Sequence, residues 1–375
     1  MSPAPVVTGM AWSTPLGDDL DGVWERLCAG ATGVAPVASP HRLRTGAAAT
    51  VPHPAYGSAD PWERQVGLAV RTLAAAFADA GADPADPLAV LVCGTSFGAL
   101  LDTEEEPADW AAEAARRLGR ADRPIGAVTA CSAGSDSLLV ADALIRSGAA
   151  RMCVAGGVDV LTEAKRLGHS ALGTMSPGGL RAFDVAHDGM VLGEGAAFLV
   201  LESADAARER GARVHAVLRG TGSANDATGL TAPDPSGRSV VAAVRDCLAG
   251  ADVPAERVSV ISAHGTGTPL NDQVEAASLQ RLFGAADPGP VVFGTKGVLG
   301  HSLGATGAIE AVATVLALRS GRVPPLAGLE SPMPELSLPL AGHGDTKVAG
   351  GAGLSLTLGF GGFNTCLLLE RPVTA

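Results

Sequence analysis

Two stretches of this chain are weak copies of each other. Cys131–Gly148 (CSAGSDSLLVADALIRSG) aligns without gaps to Gly304–Gly321 (GATGAIEAVATVLALRSG), with Gly134 on Gly307 and Arg-Ser-Gly closing both. Few positions agree, so the match takes its weight from its surroundings. Each copy follows a short apolar run and reads as a helix entered through small residues. Together with a repeated element order, it favours two fused copies of one βα unit.

The element order does repeat. In the first half, strands are expected at Val6–Met10, Leu88–Cys93, Ala127–Ala130, Arg151–Gly156 and Ala196–Leu201. Helices are expected near Asp19–Cys28, Trp62–Ala82, Asp102–Arg117 and Cys131–Ser147. Residues 30–60 carry no period and are expected to be irregular, and a Gly/Ser/Pro-rich loop is expected before Ala196. The second half predicts strands at Val214–Gly220, Val258–Ala263, Val291–Phe293, Gly353–Leu358 and Thr365–Glu370. Its helices are Ser236–Ala249, Asp272–Phe283 and Leu303–Arg319. Such alternation predicts an α/β fold with a mostly parallel sheet covered on both faces. The halves divide as 1–210 and 211–375.

Hydrophobic residues make up 47% of the chain and charged residues 18%, enough to bury a large core. Aromatics are only 3%, so that core must use small aliphatic groups and close backbones. A net charge of −12 argues against nucleic-acid binding. The six cysteines are scattered, with no CxxC pair and no metal-ligand spacing, and are expected to be reduced thiols of a cytoplasmic protein. MSPAPVVTGM has no basic region before an apolar run, so no signal peptide is expected. No apolar segment suggests a membrane span.

Four stretches carry chemistry. Cys131 sits where a strand turns into a helix, flanked by Ala130, Ser132, Ala133 and Gly134. A helix N-terminus favours thiolate, and small neighbours leave room for a carbonyl. An isolated cysteine is more often a packed core residue, and the other five are read that way. In SAHGTGTPLND an apolar strand ends at His264 and enters a loop offering Thr266 and Thr268. Ligands bind at such strand ends in parallel sheets, although a histidine in a tight turn can simply cap backbone groups. In GTKGVLGHSLGATGAIE, His301 lies in a glycine-rich turn five residues after Lys296, one of three lysines. No GxxxxGK[ST] is present, so a nucleotide-binding loop is not supported. In LGFGGFN, glycines surround Phe360, which reads as a gate over a pocket or as a twisted strand start.

In combination these stretches resemble the β-ketoacyl-acyl carrier protein synthases of the thiolase superfamily. The resemblance runs from VVTGMAWSTPLG through TACSAG and RAFDVAHDGMVLGEGAAFLVLE to HGTGTPLND, TKGVLGHSLGATGA and GFGGFN. It implies the thiolase fold, a duplicated five-layered α-β-α-β-α architecture, usually dimeric. It implies that Cys131 accepts an acyl chain from a carrier-protein thioester, with the amides of Cys131 and Phe360 holding the oxyanion. His264 and His301 would stabilise the enolate formed when a malonyl thioester loses carbon dioxide. Lys296, paired with Glu275, would support His301, while Thr266 and Thr268 would contact the pantetheine arm. No metal or cofactor of its own is implied, since the phosphopantetheine belongs to the acyl carrier protein. The partners implied are that carrier and a second ketosynthase-like subunit, identical or not.

Three departures from the family pattern stand out. The segment before Cys131 is short, Leu356-Thr357-Leu358 replaces Asn-Ser-Phe, and His187 replaces an arginine. GGFN is similar to paired ketosynthase and chain-length subunits of polyketide systems, yet Cys131 and both histidines are kept. The expected reaction is decarboxylative condensation, in specialised rather than housekeeping synthesis. Two alternatives are acyl transfer to an amine or alcohol and a chain-length-type partner subunit. An acidic carrier needs a local basic patch, for which Arg64, Arg116, Arg117, Arg120 and Arg123 are candidates.

Overall fold

The computed structural model describes residues 3–52, 60–97, 109–342 and 346–372. Ten strands form its main sheet. The first half supplies β1 (Val6–Ser13), β2 (Ala89–Gly94), β3 (Ile125–Ala127), β4 (Met152–Asp159) and β5 (Gly195–Glu202). The second supplies β6 (Ala216–Asn225), β7 (Val258–Ser262), β8 (Val291–Phe293), β9 (Ala352–Leu358) and β10 (Phe363–Glu370). Their spatial order is β8-β7-β9-β10-β6-β1-β5-β4-β2-β3. The order is a palindrome: each strand of one half has its counterpart five numbers on. At the centre, β1 and β6 pair through only Val6–Val217 and Val7–Ala216. The sheet is therefore two five-stranded sheets joined at a narrow seam.

The helices are α1 (Leu20–Cys28), α2 (Pro61–Ala80), α3 (Asp109–Arg117), α4 (Ala133–Arg146) and α5 (Glu163–Ala171), then α6 (Ala204–Glu209), α7 (Arg238–Ala251), α8 (Pro269–Phe283), α9 (Lys296–Leu299) and α10 (Thr306–Ser320). Helices α2 and α3 cover one sheet, and α7 with α8 covers the other. Between the sheets lie α4 and α10, packed on each other. This gives the five layers expected. Helix α10 is buried from Thr306 to Leu318, which explains why it is apolar all round. The apolar stretch Leu303–Ser320 is long enough to cross a membrane but is 89% buried inside the protein.

The duplication reaches the backbone. Ala130 has φ 51° and Leu303, its counterpart, has φ 50°. Each opens a 3₁₀ turn, Ala130–Ser132 or Leu303–Ala305, that leads into α4 or α10. Left-handed backbone at a non-glycine residue costs about 1–3 kcal/mol and marks a functional turn. Both copies keep it.

Several expectations change. The sheet is mixed: β4, β5 and β1 run antiparallel in sequence, as do β9, β10 and β6. The Ala127–Ala130 strand ends at Ala127 because the elbow takes Ala130 out of extended geometry. Short strands Val34–Pro36 and Ala47–Ala49 pair within the stretch expected to be irregular. Helix α5 lies in what reads as a Gly/Ser/Pro-rich loop, its start capped by Thr162. Helix α8 begins at Pro269, a favoured first position, rather than at Asp272. The acidic opening of the helix expected from Asp102 lies outside the described residues, and α3 begins at Asp109.

The aligned glycines Gly134 and Gly307 are where α4 and α10 touch. A Cβ on Gly134 would lie 2.8 Å from the Ala308 nitrogen, and one on Gly307 would lie 2.0 Å from Ser135 Oγ and 2.8 Å from its backbone nitrogen. Gly307→Ala is expected to destabilise the fold by about 2 kcal/mol through overpacking. Gly250→Ala, where a Cβ meets nothing within 4 Å, should be neutral or gain up to about 1 kcal/mol from helix propensity. Denaturant midpoints of the two variants check the contrast.

Candidate active site

The strained turn at Ala130 places Cys131 at the mouth of the central layer. Asp136, in the first turn of α4, pins that turn: it accepts from Ser132 Oγ (2.7 Å), from the Thr129 hydroxyl and from the Thr365 hydroxyl on β10. Cys131, His264, His301, Thr266, Thr268 and Phe360 all line one cavity of about 310 Å³. Residues more than a hundred positions apart therefore meet in one place. The two imidazoles stand edge to face with ring centres 5.4 Å apart.

Cys131 is 5% exposed. Burial pushes its thiol up to about 11, against opposing help from the Phe360 amide, the Lys296 charge and its own amide. The helix-terminus argument for a ready thiolate thus loses to desolvation. The two amides that favour the charged sulfur are those expected to hold an oxyanion. Alkylation of Cys131 by iodoacetamide should rise about tenfold per pH unit across neutral and mildly alkaline pH, with no plateau near 7. Rates measured by peptide mass spectrometry, with Cys131→Ala as background, test this; a plateau at neutral pH contradicts it.

His301 is held by its surroundings in one tautomer. The Leu303 N–H donates to Nδ1 at 3.1 Å, and Thr306 Oγ1 lies 3.0 Å from the same nitrogen. Nδ1 is therefore the acceptor and Nε2 carries the proton. That Nε2–H is buried and without a partner among the described residues. An unmet buried donor costs about 1–3 kcal/mol, so the fold keeps a donor ready for an oxygen in the cavity. His264 is buried as well, and its Nδ1 is also unpartnered. Burial first, then the Lys296 charge, pushes both imidazoles well below their usual range and keeps them neutral.

Lys296 does not pair with Glu275. Its Nζ donates to Glu310 Oε1 at 2.6 Å. Glu310 lies one helical turn after Thr306, so α10 carries both the Lys296 partner and the His301 partner on one face. Glu275 instead accepts from the backbone nitrogens of His264 (2.7 Å) and Gly265 (2.8 Å). It ties down the loop that carries His264. Burial raises both carboxyls to about 7.

Thr266 and Thr268 bond to each other through their hydroxyls at 2.8 Å. Leu358, standing where a second gating aromatic was expected to be lost, lines the cavity. His187 Nδ1 lies 3.3 Å from Asp272 Oδ2, and that carboxylate raises its pKa. Asp272 also accepts from the Gly267 and Phe183 backbone nitrogens, so His187 contacts the carboxylate that braces this loop. The candidate docking arginines are all spoken for. Arg64 pairs with Glu194, Arg116 with Glu113, Arg117 with Glu63 and Glu113, Arg120 with Asp122, and Arg123 with Asp109. Each is charge-compensated within the chain, while Arg116 and Arg123 stay largely exposed. No cluster of three metal-ligating side chains occurs among the described residues.

Comparison with known proteins places this site in context. The family model described as Beta-ketoacyl synthase, N-terminal domain matches residues 5–207, and that described as Beta-ketoacyl synthase, C-terminal domain matches 215–330. The chain is 32% identical to 3-oxoacyl-(acyl-carrier-protein) synthase 2 of Synechocystis sp., over 98% of this chain and 97% of that protein. It is also 32% identical to the oxytetracycline polyketide putative beta-ketoacyl synthase 1 of Streptomyces rimosus, with the same coverage. The solved ishigamide ketosynthase/chain length factor matches at TM-score 0.91 and 29% identity, covering 99% of this chain and 100% of that one.

Proposed function

The chain belongs to the β-ketoacyl synthase family and is a condensing enzyme of the acyltransferase class; we propose that Cys131 is its acyl acceptor and that His264 and His301 stabilise its enolate. The observation that carries this reading is the unmet Nε2–H of His301 in the cavity that Cys131 lines.

The thiol of Cys131 attacks the acyl thioester of a carrier-borne phosphopantetheine. Its proton leaves with the pantetheine sulfur, relayed by His264, which burial keeps uncharged. The amides of Cys131 and Phe360 hold the tetrahedral oxygen. A malonyl thioester then loses carbon dioxide, and its enolate oxygen accepts from His301 and His264. With both imidazoles buried, such bonds count for more than in solution. The enolate carbon attacks the acyl carbonyl on Cys131, the Cys131 sulfur leaves, and a chain two carbons longer results. Thr266 and Thr268 contact the pantetheine arm. The protein needs no cofactor of its own, because the carrier brings the phosphopantetheine.

The partners are an acyl carrier protein and a second ketosynthase-like subunit. Strand β3 lies at one end of the sheet, with Ile125 40% exposed. An open apolar edge of this kind calls for a pairing strand. The division into halves falls near 210, and the six free thiols suit a cytoplasmic setting. The retained nucleophile favours a catalytic subunit of specialised acyl or polyketide synthesis. The likeness to a ketosynthase/chain length factor structure favours one second reading, a subunit that only shapes a partner's product.

Incubation with acyl- and malonyl-carrier protein tests the proposal. Carbon dioxide release with a two-carbon-longer product supports it. Acylation of Cys131 without carbon dioxide release points to plain acyl transfer and overturns the condensing role given to the histidines.

A further inference from the structure

Beside the nucleophile lies a second, partly open chamber of about 450 Å³ that shares Cys131 and Phe360 with the first cavity. Phe97, Val128, Leu172, Leu230 and Leu303 make its wall largely apolar. Given the reading of Cys131 as acyl acceptor, this chamber receives the acyl chain. Helix α5 brings two polar side chains into it, Lys165 and His169. Four residues apart, they share one helix face with Cβ atoms about 5–6 Å apart.

Their hydrogen-bonding states are set from behind. The Thr174 hydroxyl donates to the His169 carbonyl oxygen (3.2 Å) and sits 3.0 Å from His169 Nδ1. With that proton on the carbonyl, the hydroxyl accepts from Nδ1–H and Nε2 holds the lone pair. Burial first, then the Lys165 charge, pushes the imidazole down to about 4 and keeps it neutral. The ring is also fixed in plane by stacking on Phe360, with centres 5.7 Å apart and planes 27° apart. Lys165 Nζ donates to Asp159 Oδ1 (2.5 Å) and to the Val160 carbonyl (2.8 Å), which leaves one of its three N–H bonds for a ligand.

The lining of the chamber thus includes one acceptor and one donor from the same helix face. A saturated chain uses neither, and a keto oxygen can use only the donor. A hydroxyl uses both. We propose that Lys165 and His169 select acyl chains bearing a hydroxyl group near the thioester over saturated chains of equal length.

The test compares octanoyl, 3-oxooctanoyl and 3-hydroxyoctanoyl thioesters of phosphopantetheine, following Cys131 acylation by intact-protein mass spectrometry. The wild type should load the hydroxy chain about tenfold faster than octanoyl, with the oxo chain between them. His169→Phe keeps the ring stacking but removes Nε2, and its hydroxy-to-octanoyl ratio should fall to about one. The ratio is internal, so a slower variant still reports, and circular dichroism confirms its fold. A wild-type ratio of one or less, or a ratio unchanged in His169→Phe, overturns the proposal. Failure of all three thioesters to load Cys131 would instead overturn the acyl-acceptor reading itself.

Discussion

Cys131→Ala is expected to abolish condensation, with product formation falling by on the order of 10³-fold or more, as when a covalent nucleophile is removed. No acyl adduct should form on the protein. The side chain is small and packed, 5% exposed, and removal of one sulfur leaves the Asp136 network around the turn intact. The variant should therefore fold. Measured with acyl- and malonyl-carrier protein, the effect separates two readings. A subunit that merely shapes a partner's product would keep full activity without this thiol.

The second large effect concerns His301. His301→Ala removes the one imidazole whose donor atom is fixed by Leu303 and Thr306 and left unmet in the cavity. Loss of one oxyanion-type donor costs on the order of 10²–10³ in rate. That loss should fall on carbon dioxide release from the malonyl thioester. Acyl loading of Cys131, which relies on the backbone amides, should change far less. Equal loss in both half-reactions would show that His301 serves the nucleophile rather than the enolate.

Much of this was legible in the sequence because it is local. The aligned Gly134 and Gly307 mark the contact between the two central helices, and small residues before each helix mark the elbows. Strand ends at Ser262 and Phe293 lead directly to the loop bearing His264 and to α9, which Lys296 opens. What was not legible depends on which side of a helix faces which loop. Glu275 and Glu310 both lie within reach of Lys296 along the chain, and only the packing of α10 shows that Glu310 takes it. A signal was present: Glu310 is the lone acidic residue in an apolar helix and must find a cation. Helix α5 was hidden because the Gly/Ser/Pro-rich residues 173–179 that follow it read as loop, and His169 was hidden with it. The antiparallel strands β5 and β10 could not be told from parallel ones, since both faces of each are buried.

The thiol and the two imidazoles act on one thioester, and a crystal structure tests this most directly. The crystal would hold the Cys131 acyl-enzyme with a malonyl thioester analogue that cannot decarboxylate. The acyl oxygen should accept from the amides of Cys131 and Phe360, and the analogue's thioester oxygen should lie within hydrogen-bond reach of His264 and of His301 Nε2. An acyl group on another cysteine, or an analogue oxygen that touches neither imidazole, would contradict the account.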